Sequence, residues 1–128
     1  MAEVAETYGG QVNGIDLFDD YEFNHGDIKE ISAKIKQRGL ADHVTLIKEE
    51  ASKASDLFDD DSVDLLHLDI SNTGDRLVEV FKSWYPKLRK NGILVFEGGS
   101  LERDEIDWMK EEVPIAYFKS MLQESKRF

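Results

Sequence analysis

A chain of 128 residues is long enough for one domain with a buried core and too short for two. Acids outnumber bases 27 to 16, a net charge of −11, which argues against duplex nucleic acid or an anionic membrane as partner, since both need a basic face. There is no cysteine, which excludes disulfides, thiolate catalysis and cysteine-based metal sites; no apolar run reaches membrane-spanning length and no signal-peptide pattern opens the chain, so the expectation is a soluble cytoplasmic protein.

Residues 1–8 are helix formers with Val4, Ala5 and Tyr8 on one side, and Gly9-Gly10 ends them as glycine does at a helix C-terminus. The run from Gln11 to Phe18 reads as a strand that meets an acid, Asp16. A polar and aromatic loop follows through His25. Asp27 then caps a helix, with Glu30 three residues on in a capping-box pattern, and Ile28, Ile31 and Ile35 form its apolar stripe. Gly39 stops that helix. Val44 to Ile47 is the next strand, closing at Glu49-Glu50, and Ser52 to Phe58 a short helix.

Val63-Asp64-Leu65-Leu66-His67-Leu68-Asp69-Ile70 is too short for an ordinary helix and suits a buried parallel strand. Asp69 closes it. Either this acid caps the turn through Ser71-Asn72-Thr73-Gly74, or it serves a ligand. A long amphipathic helix starts near Asp75, with Leu77, Phe81, Trp84 and Leu88 as its stripe and Val78 and Tyr85 beside it; Pro86 bends or ends it near Tyr85. The basic cluster Lys82, Lys87, Arg89 and Lys90 is expected to face solvent late in this helix. Asn91-Gly92 turns the chain into a fourth strand, Ile93 to Phe96, ending at Glu97. The remainder from Leu101 reads as helical, split by Pro114, with Trp108, Met109, Ile115, Phe118, Met121 and Leu122 on its apolar side. His67 and the two tryptophans, Trp84 and Trp108, are expected in the core; His25 and His43 fall in or near loops.

Strands thus alternate with helices of crossover length, which implies an α/β fold with a mostly parallel sheet and helices on both faces. All four strands close on acids: Asp16, Glu49 or Glu50, Asp69 and Glu97. In a parallel sheet these ends share one rim, where ligands of open α/β sheets bind. An acid-rich chain also scatters acids into loops, so a bland reading stands beside the functional one. A strand-end acid accepts hydrogen bonds from the paired hydroxyls of a ribose, and Asp16 fits that role. A phosphate-rich ligand fits badly, because no Gly-x-Gly-x-x-Gly or P-loop sequence is present. A nucleoside without phosphates and with a positive centre suits an acidic rim, and S-adenosylmethionine is such a molecule.

The succession Gly14-Ile15-Asp16-Leu17-Phe18, Val44-Thr45-Leu46-Ile47 with Glu50-Ala51-Ser52, Asp64 to Asp69, and Trp84-Tyr85-Pro86-Lys87-Leu88-Arg89-Lys90-Asn91-Gly92 leading to Phe96 resembles class I S-adenosylmethionine-dependent methyltransferases. It is most similar to the branch that holds catechol O-methyltransferase-like enzymes. The resemblance covers residues 1 to about 100. It implies a three-layer Rossmann-like fold over a single domain, 1–128, and methyl transfer to a small-molecule oxygen or nitrogen acceptor. By the same resemblance Asp16 binds the cofactor ribose with Leu17 beside it, and Glu50, Ala51 and Ser52 lie against the adenine. Asp69 stands near the methyl group and substrate as the catalytic residue, orienting or deprotonating the nucleophile, and counts among the cofactor-binding residues as well. In metal-dependent members that acid also binds Mg²⁺, with an Asp-Asn pair after the next strand. Here the pair is Glu97-Gly98: Glu97 offers a ligand and Gly98 none.

The family's first strand, with the glycine-rich turn that cradles the methionine part of the cofactor, has no counterpart here, nor has its final antiparallel strand pair. The expected fold is therefore incomplete: a fragment, a degraded relative, or one piece of a domain completed by another chain. Removing a central strand leaves unpaired edges, through which a homo-oligomer can form. The alternative function is a non-catalytic α/β binding or interaction module that keeps the sheet and has lost the cofactor. A phospho-receiver domain is disfavoured, because Gly98-Gly99-Ser100 stands where that fold needs a lysine.

Overall fold

Helices and strands alternate in the order the sequence pattern requires: α1 (Ala2–Tyr8), β1 (Val12–Asp16), α2 (Ile28–Gln37), β2 (Val44–Lys48), β3 (Val63–Leu68), α3 (Gly74–Trp84), β4 (Leu88–Phe96) and α4 (Ile115–Glu124). Residues Ser52 to Phe58, expected as a short helix, hold a 3₁₀ turn at Lys53–Leu57, and two more at Leu101–Glu105 and Asp107–Glu111 precede α4. The structure, a computed structural model, describes residues 1–22, 26–70 and 73–124. His25 and the Ser71-Asn72 part of the turn after Asp69 lie outside the described residues.

All strand pairing among the described residues is parallel, in two two-stranded sheets, β1 with β2 and β3 with β4. The single four-stranded sheet suggested by the element order is thus replaced by two pairs. The reason is topological. In the common doubly wound order 3-2-1-4-5-6, strand 1 joins the 3-2 pair to the 4-5 pair. A chain that supplies strands 2 to 5 keeps both pairs and lacks the ladder between them. The chain divides accordingly into two compact units, Met1–Ala54 and Ser55–Phe128.

In the first unit β1 and β2 run in register from Val12 opposite Val44 to Asp16 opposite Lys48. α1 ends where Gly9 takes a left-handed φ of 74°, a conformation glycine adopts without steric cost, and its N–H donates to the Ala5 carbonyl. Of the expected apolar side of α1 only Ala5 is buried, while Val4 and Tyr8 are exposed. Asp27 caps α2 as its sequence position predicts, accepting from the Lys29 N–H at 2.6 Å. Glu30 pairs with Lys34 one turn on, at 2.8 Å. Ile28, Ile31 and Ile35 are only half-buried.

The second unit has the deeper core. Leu77, Val78 and Phe81 of α3, Met109, and Ile115 and Phe118 of α4 pack together, with Leu94 and Phe96 of β4 against them. Phe118 stands edge-on to Phe96 and to Phe81, ring centres 5.1 and 5.7 Å apart. α3 stops at Trp84, two residues before Pro86, as expected. Its N-terminus sits hard against the segment before α4: Gly74 donates to the Val113 carbonyl at 2.7 Å, and a Cβ on Gly74 would lie 2.1 Å from the Pro114 oxygen.

Several expectations fail in this unit. Leu88 continues the helical spacing of α3 from Trp84, yet it opens β4, opposite Val63. Once Pro86 has broken the helix, parallel pairing captures the chain, and the register resumes at Leu65 opposite Ile93 after an irregular stretch in which Asn91 takes φ 64°. Lys87, Arg89 and Lys90 therefore follow the helix. Lys87 reaches Asp60 at 2.8 Å, and Arg89 reaches Asp64 on β3 at 2.6 Å. Trp108 is 54% exposed, with the Arg103 guanidinium 5.5 Å over its ring, whereas Trp84 is buried beside Phe58.

Candidate cofactor site

Each parallel pair delivers its acids to its own carboxyl end. At the end of β1 and β2 the Asp16 carbonyl accepts from the Glu49 N–H at 3.2 Å, which ties the two strand ends together. Asp16 itself is half-buried, and its Oδ1 accepts from the Phe18 N–H at 2.5 Å. Leu17, also half-buried, takes right-handed angles of −78° and −17°. Phe18 then turns left-handed at φ 51° with its ring buried.

Glu50 is held differently. Its Oε2 accepts from the Ser52 hydroxyl, from the Ser52 N–H at 2.9 Å and from the Lys53 N–H at 3.1 Å. This carboxylate caps the 3₁₀ turn that begins at Lys53. Ala51 and Ser52, half-buried, form the turn between them. The first unit thus brings the predicted cofactor residues Asp16, Leu17, Glu50, Ala51 and Ser52 to one end of its sheet.

Lys48 is a residue that sequence reasoning missed. It closes β2 opposite Asp16, and its Nζ lies 2.9 Å from both Asp19 Oδ1 and Asp20 Oδ1. The ammonium beside Asp19 lowers that carboxyl below its ordinary value, and the two carboxylates raise the Lys48 ammonium above its own. A lysine at a strand end, with an Asp-Asp pair after the neighbouring strand, was the available signal. For the left-handed backbone of Phe18 the sequence held none.

At the end of β3 and β4 the Glu97 N–H donates to the Leu68 carbonyl at 2.9 Å, setting Glu97 beside the strand end that Asp69 leaves. Asp69 is exposed. His67, expected in the core, lies on the outer face of this sheet with its Nε2 3.7 Å from Glu97 Oε1. The alternation along β3 explains the correction: Leu66 and Leu68 are buried, so His67 shares the other, exposed face with Leu65. His43, near a loop as expected, sits with Nδ1 3.0 Å from the Gly10 carbonyl.

Mg²⁺ usually takes one or two carboxylates, waters and substrate oxygens in octahedral geometry. Among the described residues no group of three or more His, Asp or Glu side chains converges as a metal site would. Asp69 and Glu97 are thus at most two ligands, and Glu97 already lies beside His67. Among the described residues they form no closed cage of three or more such ligands.

Helices alternating with strands that pair in parallel and close on carboxylates define the Rossmann-like α/β class. Within that class the chain belongs to a methyltransferase domain family, whose model matches residues 1–97. A crystal structure of a protein from Corynebacterium glutamicum shares the fold, with a TM-score of 0.69 at 14% identity over 91% of this chain. The match spans 52% of that protein's length, about half. No curated protein matches the chain.

Proposed function

We propose that this chain is the cofactor- and acceptor-binding part of an S-adenosylmethionine-dependent methyltransferase that acts in the cytoplasm on a small-molecule oxygen or nitrogen nucleophile. The family match supports methyl transfer in general. It runs across both compact units, which supports treating 1–128 as one domain. The observation that carries the cofactor assignment is the Asp16 carboxylate, half-buried at the carboxyl end of β1 and held by the Phe18 N–H.

The chemistry of the donor set fits the nucleoside half of the cofactor. Asp16 accepts hydrogen bonds from two vicinal hydroxyls, Leu17 offers an apolar side chain to the base, and the Glu50-Ala51-Ser52 turn flanks the same strand end. When bound, S-adenosylmethionine supplies an electrophilic methyl group on a positively charged sulfur. Asp69 orients the acceptor and takes its proton as the nucleophile attacks; its exposure leaves it open to an incoming molecule. No step is assigned to a metal. Self-association through the unpaired strand edges belongs to this reading; nucleic acid and membranes do not.

A second reading, a binding module without catalysis, draws on Glu50, whose carboxylate is folded back onto Ser52 and Lys53. Calorimetric titration with S-adenosylhomocysteine separates the two. The enzyme reading expects saturable heat with the natural chain and at least a tenfold loss of affinity in Asp16→Ala, since charge-assisted hydrogen bonds contribute about 1.5–3 kcal/mol each. No heat with the natural chain favours the binding module.

A further inference from the structure

We propose that Arg103 and Trp108 form a binding site for an aromatic carboxylate. The site lies within Ser55–Phe128, on the segment that leaves the carboxyl end of β4, and it stands whether or not Asp16 holds a nucleoside.

The charge around Arg103 is the first observation. Glu102, Asp104, Glu105 and Asp107 all lie within four residues of it, yet among the described residues Arg103 has no ion pair. Two of these acids are committed elsewhere. Asp104 accepts from the Ile115 and Ala116 N–H groups at 2.7 and 3.1 Å, and Asp107 pairs with Lys110 at 3.0 Å. The Arg103 guanidinium lies instead 5.5 Å over the Trp108 ring. Its Nε is buried with no hydrogen-bond partner among the described residues. A buried donor left in this state is costly, so the side chain is held by the ring beneath it and not by an anion of the protein.

The backbone under this pair is fixed. Ser100 accepts from the Glu102 N–H at 3.3 Å, Asp104 caps the start of α4, and Met109 is buried in the core with 1% exposure. The guanidinium is therefore presented on a rigid support, which lowers the ordering cost of binding. Its planar fork matches a carboxylate. Trp108 at 54%, Leu101 at 53% and Ile106 at 45% exposure leave apolar surface on the same two turns, suited to a ring. Glu102 and Glu105 are exposed beside this single cation, which favours one negative charge over the two of a phosphate.

The test uses 2-naphthoate and its uncharged counterpart 2-naphthamide, titrated into the full chain and followed by NMR at the indole N–H signals. The natural chain is expected to bind 2-naphthoate saturably and about tenfold more tightly than the amide, as a charge-assisted contact allows. Trp108 is expected to shift while the buried Trp84 does not. Arg103→Gln keeps a planar donor group without the charge, and is expected to bring the two affinities to within about twofold. Trp108→Leu is expected to weaken both ligands. Equal binding of the two ligands by the natural chain, or no saturable binding of 2-naphthoate, overturns the proposal. So does a preference that persists in folded Arg103→Gln, since another cation would then be responsible. A shift at Trp84 without one at Trp108 overturns it with no variant needed. Affinity for S-adenosylhomocysteine is expected to be the same in Arg103→Gln as in the natural chain; a tenfold loss there would assign Arg103 to the cofactor and overturn the separate site.

Discussion

The two compact units hold their strand-end acids by different means. In Ser55–Phe128 the strands lie on a close-packed core: Leu77, Val80, Ile115 and Phe118 are fully buried, and the aromatic rings of α3, β4 and α4 stack edge to edge. In Met1–Ala54 the buried apolar side chains among the described residues are Ala5, Phe18, Leu40 and Ala54, and α2 contributes none. There the turns after β1 and β2 are shaped by hydrogen bonds and ion pairs: Phe18 N–H on Asp16, Glu50 on its own following turn, Lys48 on Asp19 and Asp20. The unit proposed to hold the nucleoside is thus set by directional polar contacts, and the other by apolar burial. Polar contacts fix direction at little net stability, while burial supplies stability without direction.

The contrast is broken most severely in the core. Phe118→Ala removes a fully buried ring that contacts Phe81 and Phe96, and large-to-small changes of this kind cost about 3–5 kcal/mol. Urea denaturation should show the second unit lost or strongly destabilised. A change under about 1 kcal/mol would mean that this core does not carry the unit. Gly74→Ala probes the same unit through close approach. Its new methyl would meet the Pro114 carbonyl at 2.1 Å, so the start of α3 and the segment before α4 must part. A loss of about 1–3 kcal/mol is expected by thermal denaturation, despite alanine's better helix propensity. A gain would show that the two segments are not in contact.

Much of this was legible in the sequence where a single local rule decides. Gly9 ends α1, Asp27 caps α2, and Pro86 stops α3 as its missing N–H demands. The strand-end acids stand where the apolar runs place them. What failed depended on partners distant in the chain. Leu88 obeys the helical spacing, and only its pairing with Val63 makes it a strand residue. His67 was read as core, but it stands beside Glu97 on the face that Leu65 leaves exposed, opposite the buried Leu66 and Leu68. The Phe18 backbone is left-handed, with its ring buried and its amide on the Asp16 carboxylate, and none of this shows in a Leu-Phe-Asp-Asp string.

The smallest effect expected is at Lys48, and it sharpens the comparison on the polar side. Its pairs with Asp19 and Asp20 are solvent-exposed, and such pairs contribute little to stability. Their sign is nonetheless fixed. Asp19 titrates below its ordinary value of 3.8, so its contribution is present above that value and is lost as pH falls through the lower, folded one. Lys48 titrates above its ordinary value of 10.5, so its contribution is full below that value and is lost as pH rises through the higher, folded one. Lys48→Met should therefore change stability slightly and only between these limits. The difference from the natural chain should vanish at both extremes and shrink with added salt, as screening acts on exposed charges. Thermal denaturation across pH, run on both chains at low and high salt, checks this. A difference that persists once pH has fallen well below the lowered Asp19 value, or in high salt, would assign Lys48 an apolar packing role through its aliphatic stem instead, and the first unit would then resemble the second more closely than its turns suggest.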